Sequence, residues 1–247
     1  MRFSVKIILD GNPPFFISTS YRKDVYAIIE KSVYNESQRM HQYYWSTHDE
    51  TALPFSFSFL IPQHRYVEKD MKRIIQCNSN NLKFLFSSYD FEFLNHVYNG
   101  LLKSIQTQTL FGYSVSLKNF FFQKLNLINE QIVRFKTISP IAVTKKDKNN
   151  SVHFITVNDA SYIKNLQRSI ESLCRRFIAH DFTFKSDELK IIPSLCSSTQ
   201  TDYFSEIISA TRGIIEIAAP IDVLRLIHDA GLGEMRNMGF GMVEVVR

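Results

Sequence analysis

Cysteine is scarce in this sequence. Only three cysteines occur among 247 residues, at Cys77, Cys174 and Cys196. No CxxC or HxxxH pair accompanies them, which argues against a structural zinc site. Their odd number and wide spacing indicate free thiols in a reducing compartment.

Long apolar runs are also missing. No stretch approaches the roughly 20 apolar residues that a membrane-spanning helix needs. Residues 1–11 are too short and too alternating for the apolar region of a signal peptide. Apolar residues still make up 45% of the chain, which is enough for a buried core. We therefore expect a soluble, cytoplasmic protein with one large domain or two smaller ones.

Charge of either sign is moderate. The chain has 29 basic and 24 acidic residues, a formal net charge of +5. This balance is compatible with a polyanionic partner but does not require one. No basic tail is present, so a surface for nucleic acid would have to be assembled by folding.

Glycine is rare and unevenly placed. Four of the eight glycines lie within residues 231–241, GLGEMRNMGFG. A phosphate-binding P-loop would need GK[ST], which does not occur here. A dinucleotide fingerprint needs a strand before the glycines and a helix after them, and here that order is reversed.

Two interpretations of this segment stay open at this point. Gly231 is a candidate for the C′ residue of a preceding helix, and Gly239 and Gly241 for a bulge in the last strand. Alternatively, backbone amides free of Cβ atoms could approach phosphates, with Arg236 as a charged donor beside them.

Hydrophobic periodicity predicts the elements of the first half. Strands are predicted at 2–10, 54–62, 82–88 and 114–128, and helices at 21–34, 36–47 and 90–105, the last with Asp90 as its N-cap. The resulting β-α-β-β-α-β order is a ferredoxin-like pattern.

The second half follows a similar but looser plan. Strands are predicted at 132–143, 188–196, 213–219 and 239–246, and helices at 158–180 and 220–229. Pro140 interrupts the first of these strands, which indicates an edge strand or a bend. We predict an α+β protein with two tandem ferredoxin-like (RRM-like, βαββαβ) domains, 1–128 and 129–247.

Three segments carry a resemblance to a known family. GLGEMRNMGFGMVEV (231–245) resembles the C-terminal glycine-rich signature of the CRISPR repeat-processing endoribonucleases, which belong to the repeat-associated mysterious protein (RAMP) superfamily. FKTISPIAV (135–143) is similar to the family's T-L-S-P-I-x-V strand, and HDETALPFSFSFL (48–60) to its histidine block.

The resemblance implies cleavage of CRISPR precursor RNA within its repeats, without a metal or cofactor. The ribose 2′-OH would attack the adjacent phosphorus, leaving a 2′,3′-cyclic phosphate. Such chemistry needs a general base and a general acid, and histidine suits both roles because its ordinary pKa lies near neutrality. His48 stands where the family's catalytic histidine falls, and His41 is its rival. If the helix at 36–47 continues, the two histidines are seven residues apart and share one face.

The family often adds a tyrosine on the first helix and a lysine shortly after the histidine. Tyr26 and Tyr34 are candidates for the tyrosine, although a helical tyrosine more often packs in a core. Residues 50–54 contain no lysine, so Lys31 is a candidate for the missing cation. Tyr43, Tyr44 and Trp45 could stack a base at the cut site, with core packing as the alternative.

The expected partner is CRISPR repeat RNA, with other effector-complex subunits as further candidates and a monomer or homodimer as the assembly. A non-catalytic RAMP-type protein that binds repeat RNA is the alternative function. Lys164, Arg168 and Arg175 form a basic stripe on the helix at 158–180, which could also be an ordinary solvated face. The RNA-contact candidates are Gly231, Gly233, Arg236, Asn237, Gly239, Gly241, Arg134, Lys136, Lys164 and Arg168.

Overall fold

The computed structural model describes residues 1–45, 53–69, 71–104, 109–123, 128–185, 187–204 and 206–246. The chain forms two compact units. Unit 1 comprises Met1–His48, Ser58–Gln123 and Asp202–Glu206, and unit 2 comprises Asp49–Phe57, Lys124–Thr201 and Ile207–Arg247. The sequence predicted a single domain boundary at residue 128. In this division, two short segments on either side of that boundary, 49–57 and 202–206, group with the opposite unit.

Eight strands and three helices of the described residues lie in unit 1, except for the first three residues of β3. They are β1 (Arg2–Leu9), β2 (Phe15–Ser18), α1 (Tyr21–Glu36), α2 (Gln38–Trp45), β3 (Phe55–Leu60), β4 (His64–Lys69), β5 (Lys72–Cys77), β6 (Asn81–Ser88), α3 (Phe91–Ser104), β7 (Thr109–Leu110) and β8 (Tyr113–Phe122). The division between the units falls within β3.

The main sheet of unit 1 has the order β3-β6-β1-β8-β7. Strand β1 pairs antiparallel with both β6 and β8, so it is central. Leaving out the short β7, this is the strand order of a ferredoxin-like βαββαβ unit. The alternating residues Phe3, Val5, Ile7 and Leu9 are buried, as the sequence pattern predicts.

Helix α3 begins at a side-chain cap. The backbone N–H of Phe93 donates to Oδ1 of Asp90 at 3.0 Å, which confirms Asp90 as the predicted N-cap. This bond satisfies one of the backbone donors that the first helical turn leaves open.

A second sheet of unit 1 was not predicted. Strands β2, β5 and β4 form a three-stranded antiparallel sheet in the order β2-β5-β4. Strand β4 is almost entirely exposed and therefore lacks the alternation of apolar and polar residues by which strands are recognised.

The remaining helices and strands lie in unit 2, except for the last two residues of β12 and the first residue of β13. They are β9 (Ile132–Thr137), β10 (Val143–Lys146), β11 (Val152–Ile155), α4 (Tyr162–Phe177), β12 (Lys190–Tyr203), β13 (Glu206–Ala218), α5 (Ile221–Ala230) and β14 (Val243–Val246). The four-stranded sheet has the order β12-β13-β9-β14, again the ferredoxin-like order, and β10 pairs with β11 in a separate hairpin. The predicted fold class is confirmed.

Strand β9 is central rather than an edge strand. It pairs antiparallel with β13 on one side and β14 on the other. The expectation of an edge strand is therefore wrong, while the expectation of a bend is correct: β9 ends at Thr137, and Pro140 lies beyond the ladder, where no backbone donor is required.

Strands β12 and β13 are much longer than the predicted 188–196 and 213–219. They contain 14 and 13 residues. Most residues in the added length of β12 are polar, SSTQTD, and a ribbon with little burial carries no periodic hydrophobic signal. None of the helices formed by the described residues combines the length and apolar character needed to traverse a bilayer.

Candidate functional site

Helices α1 and α2 bring an imidazole, a carboxylate and two tyrosines together in unit 1. The Nε2 atom of His41 lies 3.2 Å from Oε1 of Glu30. The Tyr34 ring and the imidazole form a T-shaped pair, with centroids 5.2 Å apart and planes at 87°. His41 also stacks on Trp45, with centroids 5.0 Å apart and planes 7° apart. The Trp45 indole N–H donates to Oη of Tyr26 at 2.7 Å. We call these five residues the histidine cluster.

Local helical spacing explains why these side chains meet. Tyr26, Glu30 and Tyr34 are each four residues apart on α1, and His41 and Trp45 are four apart on α2. Residues at i and i+4 lie on the same face of a helix, so two short rows face each other.

The cluster can hold and orient a proton-transfer group. When the imidazole is neutral, donation from Nε2–H to Glu30 leaves the lone pair on Nδ1. The His41 side chain is 22% exposed and the Glu30 side chain 37% exposed, so both are accessible from solvent. Tyr34 is 47% exposed, and its hydroxyl accepts a hydrogen bond from the Gln38 side chain at 3.4 Å.

The predicted catalytic residues fall into three groups. His41, Tyr34 and Tyr26 belong to the histidine cluster. Lys31 is exposed on α1, one residue after Glu30, and is therefore turned by about 100° from it. His48 lies outside the described residues.

Sequence reasoning missed Glu30 as the partner of His41. Glu30 is four residues from both Tyr26 and Tyr34, which predicts that the three side chains share one face of α1. That spacing does not predict which other helix packs against this face. Trp45, predicted as a candidate base-stacking residue, stacks on His41 instead.

The glycine-rich segment 231–241 is buried inside unit 2. Gly231 ends α5 as its C-cap residue and donates its N–H to the Ile227 carbonyl at 2.9 Å, so it stands one position before the predicted C′ position. Gly239 and Gly241 precede β14, which begins at Val243, so the predicted bulge in the last strand is wrong. The region between is a loop with a single 3₁₀ turn, Arg236–Met238.

The glycines let this loop pack against protein backbone. A Cβ atom on Gly241 would lie 1.8 Å from the Leu232 carbonyl oxygen, and one on Gly233 would lie 2.4 Å from the Ala142 carbonyl oxygen. Both glycines also have positive φ angles, +67° and +76°. Every glycine of the segment is buried, so the structure does not support direct contact of these residues with RNA in this conformation.

The loop is joined to the SPIAV segment by a network of hydrogen bonds. The Gly241 N–H donates to the Pro140 carbonyl at 2.7 Å, and the Glu234 N–H donates to the Ala142 carbonyl at 2.8 Å. The Met242 N–H donates to the Ser139 hydroxyl at 2.9 Å. The two motifs that carry the family resemblance are thus one packed unit.

Arg236 and Asn237 lie deeper than expected. Arg236 is 5% exposed, and its Nη1 donates to the Gly233 carbonyl. Asn237 is also buried. In this conformation both residues are poorly placed to meet a large ligand through more than a few atoms.

A basic groove follows α4 in unit 2, with a volume of about 770 Å³. Its arginines are Arg168, Arg175, Arg176 and Arg236, and its acids are Asp181 and Glu234. Burial raises the pKa of Glu234, and its carboxylate accepts a hydrogen bond from the Thr144 hydroxyl. The excess of guanidinium groups suits a phosphate-bearing ligand.

The basic stripe on α4 is only partly free for such a ligand. Arg175 donates to the Phe182 carbonyl at 3.0 Å and to Glu171 at 2.7 Å. Within the described part of the chain, neither Arg168 nor Arg176 has a carboxylate partner. Lys164 is exposed on α4 but does not line the groove.

The two basic residues of β9 face acids. Arg134 Nε lies 2.9 Å from Glu216 Oε2 on β13. Lys136 is paired in register with Glu244 on β14. These partners reduce the positive charge that β9 can offer to RNA. Among the residues that the structure describes, no group of three or more His, Cys, Asp or Glu side chains could hold a metal ion.

Comparison with known proteins agrees with this architecture. Residues 123–245 match the family model "CRISPR associated protein Cas6, C-terminal". Over 98% of its length the chain is 22% identical to CRISPR-associated endoribonuclease Cas6 1 of Methanocaldococcus jannaschii, covering 93% of that protein.

Solved structures share the fold. A Cas6-related protein from Pyrococcus furiosus has a TM-score of 0.83 at 17% identity, covering 100% of this chain and 98% of that one. A RAMP protein described as binding different RNA substrates has a TM-score of 0.79 at 18% identity, covering both chains completely. The C-terminal half of the chain, in which the glycine-rich loop packs against the SPIAV segment, therefore belongs to the family of the CRISPR-associated protein Cas6 C-terminal domain, and the whole chain is similar to Cas6 proteins.

Proposed function

We propose that this protein is an endoribonuclease that processes CRISPR precursor RNA by cutting within the repeats. The match of residues 123–245 to the Cas6 C-terminal family and the similarity of the chain to a Cas6 endoribonuclease support this activity. The finer proposal is that the cut is made by the ribose 2′-OH, without a metal. The observation that carries it is the His41–Glu30 pair, with the Tyr34 ring packed against the imidazole.

The chemistry assigns a role to each group. A base removes the 2′ proton as the 2′ oxygen bonds to phosphorus, and the bond from phosphorus to the 5′ oxygen breaks. An acid returns a proton to the departing 5′ oxygen, leaving a 2′,3′-cyclic phosphate and a 5′-OH. We assign the base to Nδ1 of His41, oriented by Glu30, and the acid to His48 or the Tyr34 hydroxyl. Tyr26 positions His41 through Trp45, and Lys31 is the proposed cation for the phosphate charge.

The proposed RNA-binding surface is the groove along α4. Arg168 and Arg176 are exposed and have no acidic partner in the described chain, so they are the proposed phosphate contacts. We propose that the four glycines, Arg236 and Asn237 shape this surface rather than form most of it. Lys164, Arg134 and Lys136 are secondary candidates. Association with other CRISPR subunits and a monomeric or homodimeric state stay predictions.

One assay tests the activity. Purified protein is incubated with end-labelled repeat RNA in EDTA, and cleavage rates and product ends are compared among wild type, His41→Ala, His48→Ala and Glu30→Gln. General acid–base groups contribute about 10²–10⁴-fold, so we expect His41→Ala to lose at least about 100-fold in rate. Glu30→Gln should lose less, because the imidazole itself remains.

His153→Ala is the matched control. His153 also faces a carboxylate, with Nε2 3.0 Å from Asp147 Oδ2, but it lies on a hairpin of unit 2. Its removal should leave the rate unchanged. Cleavage that stops in EDTA would refute the proposed mechanism, and tight binding without any cleavage would favour the non-catalytic RNA-binding function.

A further inference from the structure

A nearly buried carboxylate lies at the tip of the ribbon formed by β12 and β13. Residues 202–206 of this tip group with unit 1, and the Asp202 side chain is only 9% exposed. Its Oδ1 lies 3.4 Å from Nη1 of Arg73, and the Tyr66 hydroxyl donates to the same carboxylate. Arg73 also lies over the Tyr66 ring, 4.0 Å from its centroid. A carboxylate held away from water needs such partners, because an unpaired buried charge is costly.

The backbone of the same tip holds the first turn of α1. Nη1 of Arg22 donates to the Asp202 carbonyl at 2.9 Å, and the Ser20 hydroxyl donates to the Phe204 carbonyl. Arg22 is buried, and its guanidinium lies over the Tyr21 ring, 4.8 Å from the centroid. A guanidinium is planar and presents its donors in a rigid fork, so these contacts fix its orientation. The tip therefore restrains rotation of α1 about its own axis.

Arg22 begins the row of α1 side chains that contributes to the histidine cluster. The members of this row follow one another at intervals of four residues: Arg22, Tyr26, Glu30 and Tyr34. Side chains at that interval lie along one stripe of a helix. Glu30 is two turns from Arg22, about 12 Å along the axis. Because the helix between them is regular, the orientation of Arg22 sets the direction in which Glu30 points.

A second contact holds α1 toward its C-terminal end. There α1 meets α3 backbone to backbone, since a Cβ atom on Gly100 would lie 2.3 Å from the Ser32 carbonyl oxygen. The helix is thus held near residue 22 by the ribbon tip and near residue 32 by α3. Tyr26 and Glu30 lie between these two points, so both contacts are needed to define where their side chains stand.

We propose that Asp202 and Arg22 are positioning residues for the reaction: by fixing the first turn of α1, they set the Glu30 carboxylate against His41. This inference rests on the proposed function, since it takes His41 to be the general base. A misplacement of about 1 Å can cost about 10²-fold in rate, even when it arises far from the reacting atoms. The ribbon tip is therefore part of what makes the histidine cluster competent, although it contributes no group to the cluster.

The first test measures kcat and KM for cleavage of repeat RNA by wild type, Asp202→Ala, Asp202→Asn and Arg22→Met. We expect kcat to fall about tenfold in Asp202→Ala and in Arg22→Met, because α1 is no longer held at its first turn. KM should stay within about twofold of wild type, since neither residue lines the groove along α4. Asp202→Asn should retain more activity than Asp202→Ala, because an amide oxygen still accepts from Arg73 and Tyr66.

Asp222→Ala is the matched control. Oδ1 of Asp222 also lies 3.4 Å from an arginine, Nη1 of Arg225, but its side chain is 77% exposed on α5. Its removal deletes the same kind of ion pair at the same separation, and we expect kcat and KM to equal those of wild type. Equal losses of kcat in Asp202→Ala and Asp222→Ala would overturn the proposal.

The second test reads the histidine cluster without cleavage. Trp45 is the only tryptophan of the chain, it stacks on His41, and it donates to the Tyr26 hydroxyl on α1. Its fluorescence therefore reports how α1 stands against α2. In Asp202→Ala we expect the emission to move to longer wavelengths and acrylamide quenching to increase, at temperatures where thermal melts show the variant folded. A lower melting temperature with wild-type emission and kcat would show a merely structural role and overturn the proposal.

A double variant tests whether Asp202 acts through Glu30. If it does, D202A/E30Q should lose no more of kcat than the more damaged single variant, whereas losses that multiply would show independent roles and overturn the proposal. If Asp202→Ala fails to fold, Asp202→Asn and Arg22→Met make the same comparisons. Wild-type cleavage by His41→Ala would refute the proposed mechanism, and Trp45 emission would still decide whether the tip holds the cluster. Loss of cleavage in His41→Ala, with wild-type kcat and emission in Asp202→Ala, would refute this inference alone.

Discussion

Replacing Gly241 by alanine puts a methyl group where the glycine-rich loop has no room. The new Cβ would lie 1.8 Å from the Leu232 carbonyl oxygen, which belongs to backbone and cannot swing away. The backbone must therefore shift, and that shift threatens the bond from the Leu232 N–H to the Gly241 carbonyl, 2.8 Å long. Gly241 also has a φ of +67°, where an L-residue is strained.

These terms set the expected magnitude. The left-handed conformation costs roughly 1–2 kcal/mol for a residue with a Cβ, and loss of one backbone hydrogen bond about 0.5–1.5 kcal/mol. We expect Gly241→Ala to lower the free energy of unfolding by about 1.5–3.5 kcal/mol. For a chain of this size that corresponds to a fall of roughly 3–14 °C in the melting temperature.

The variant Gly112→Ala separates the cost of the left-handed backbone conformation from the cost of the steric clash. Gly112 has a φ of +82°, but a Cβ there would meet no atom within 4 Å. Only the conformational cost applies, about 1–2 kcal/mol. Thermal melts of both variants, followed by circular dichroism, should therefore show the larger loss for Gly241→Ala.

The same variants decide what the glycines do. If packing against protein is their role, Gly241→Ala should melt early yet bind repeat RNA with nearly wild-type affinity well below its melting temperature. A variant that melts with the wild type but has lost its RNA affinity would refute the packing argument. It would restore direct contact between the loop backbone and RNA.

Two further changes test single contacts. Asp90→Ala removes the carboxylate that accepts the Phe93 N–H, so we expect the free energy of unfolding, measured in urea, to fall by about 1 kcal/mol at an unchanged m-value. A urea midpoint no lower than that of the control variant Asp10→Ala, at an exposed position, would contradict the role of Asp90 as a cap. Asp159 lies 2.5 Å from Lys145 Nζ, and this hydrogen bond, with those from Ser161, holds the pKa of Asp159 below its ordinary value. A lowered folded-state pKa contributes stability above the unfolded pKa and loses it as the pH falls through the folded one. Asp159→Asn should therefore lower the melting temperature at neutral pH, with the two curves converging in strong acid, and a gap that does not depend on pH would exclude this origin.

Prediction from sequence succeeded where the signal is local. Alternation marks β1, a period of four marks α1 and α4, and Asp90 marks the start of α3, because each pattern depends on a few neighbouring residues. It failed for β4 and for the polar half of β12, where strands carry little buried apolar surface. The amino-acid composition of segments 49–57 and 202–206 gave no indication that the first groups with unit 2 and the second with unit 1.

The sequence by itself determined the βαββαβ order of both halves and the two motifs that resemble those of the CRISPR repeat-processing endoribonucleases. Only the tertiary structure decided what those residues touch. It packed Gly231, Gly233 and Gly241 against neighbouring backbone and Gly239 against the Phe57 ring. It also set Glu30 against His41 and aligned Lys6 with Lys83 and Lys118. The physical reason is that helical and strand periods follow from local geometry, whereas strand register and helix crossing are chosen by packing between residues far apart in the chain.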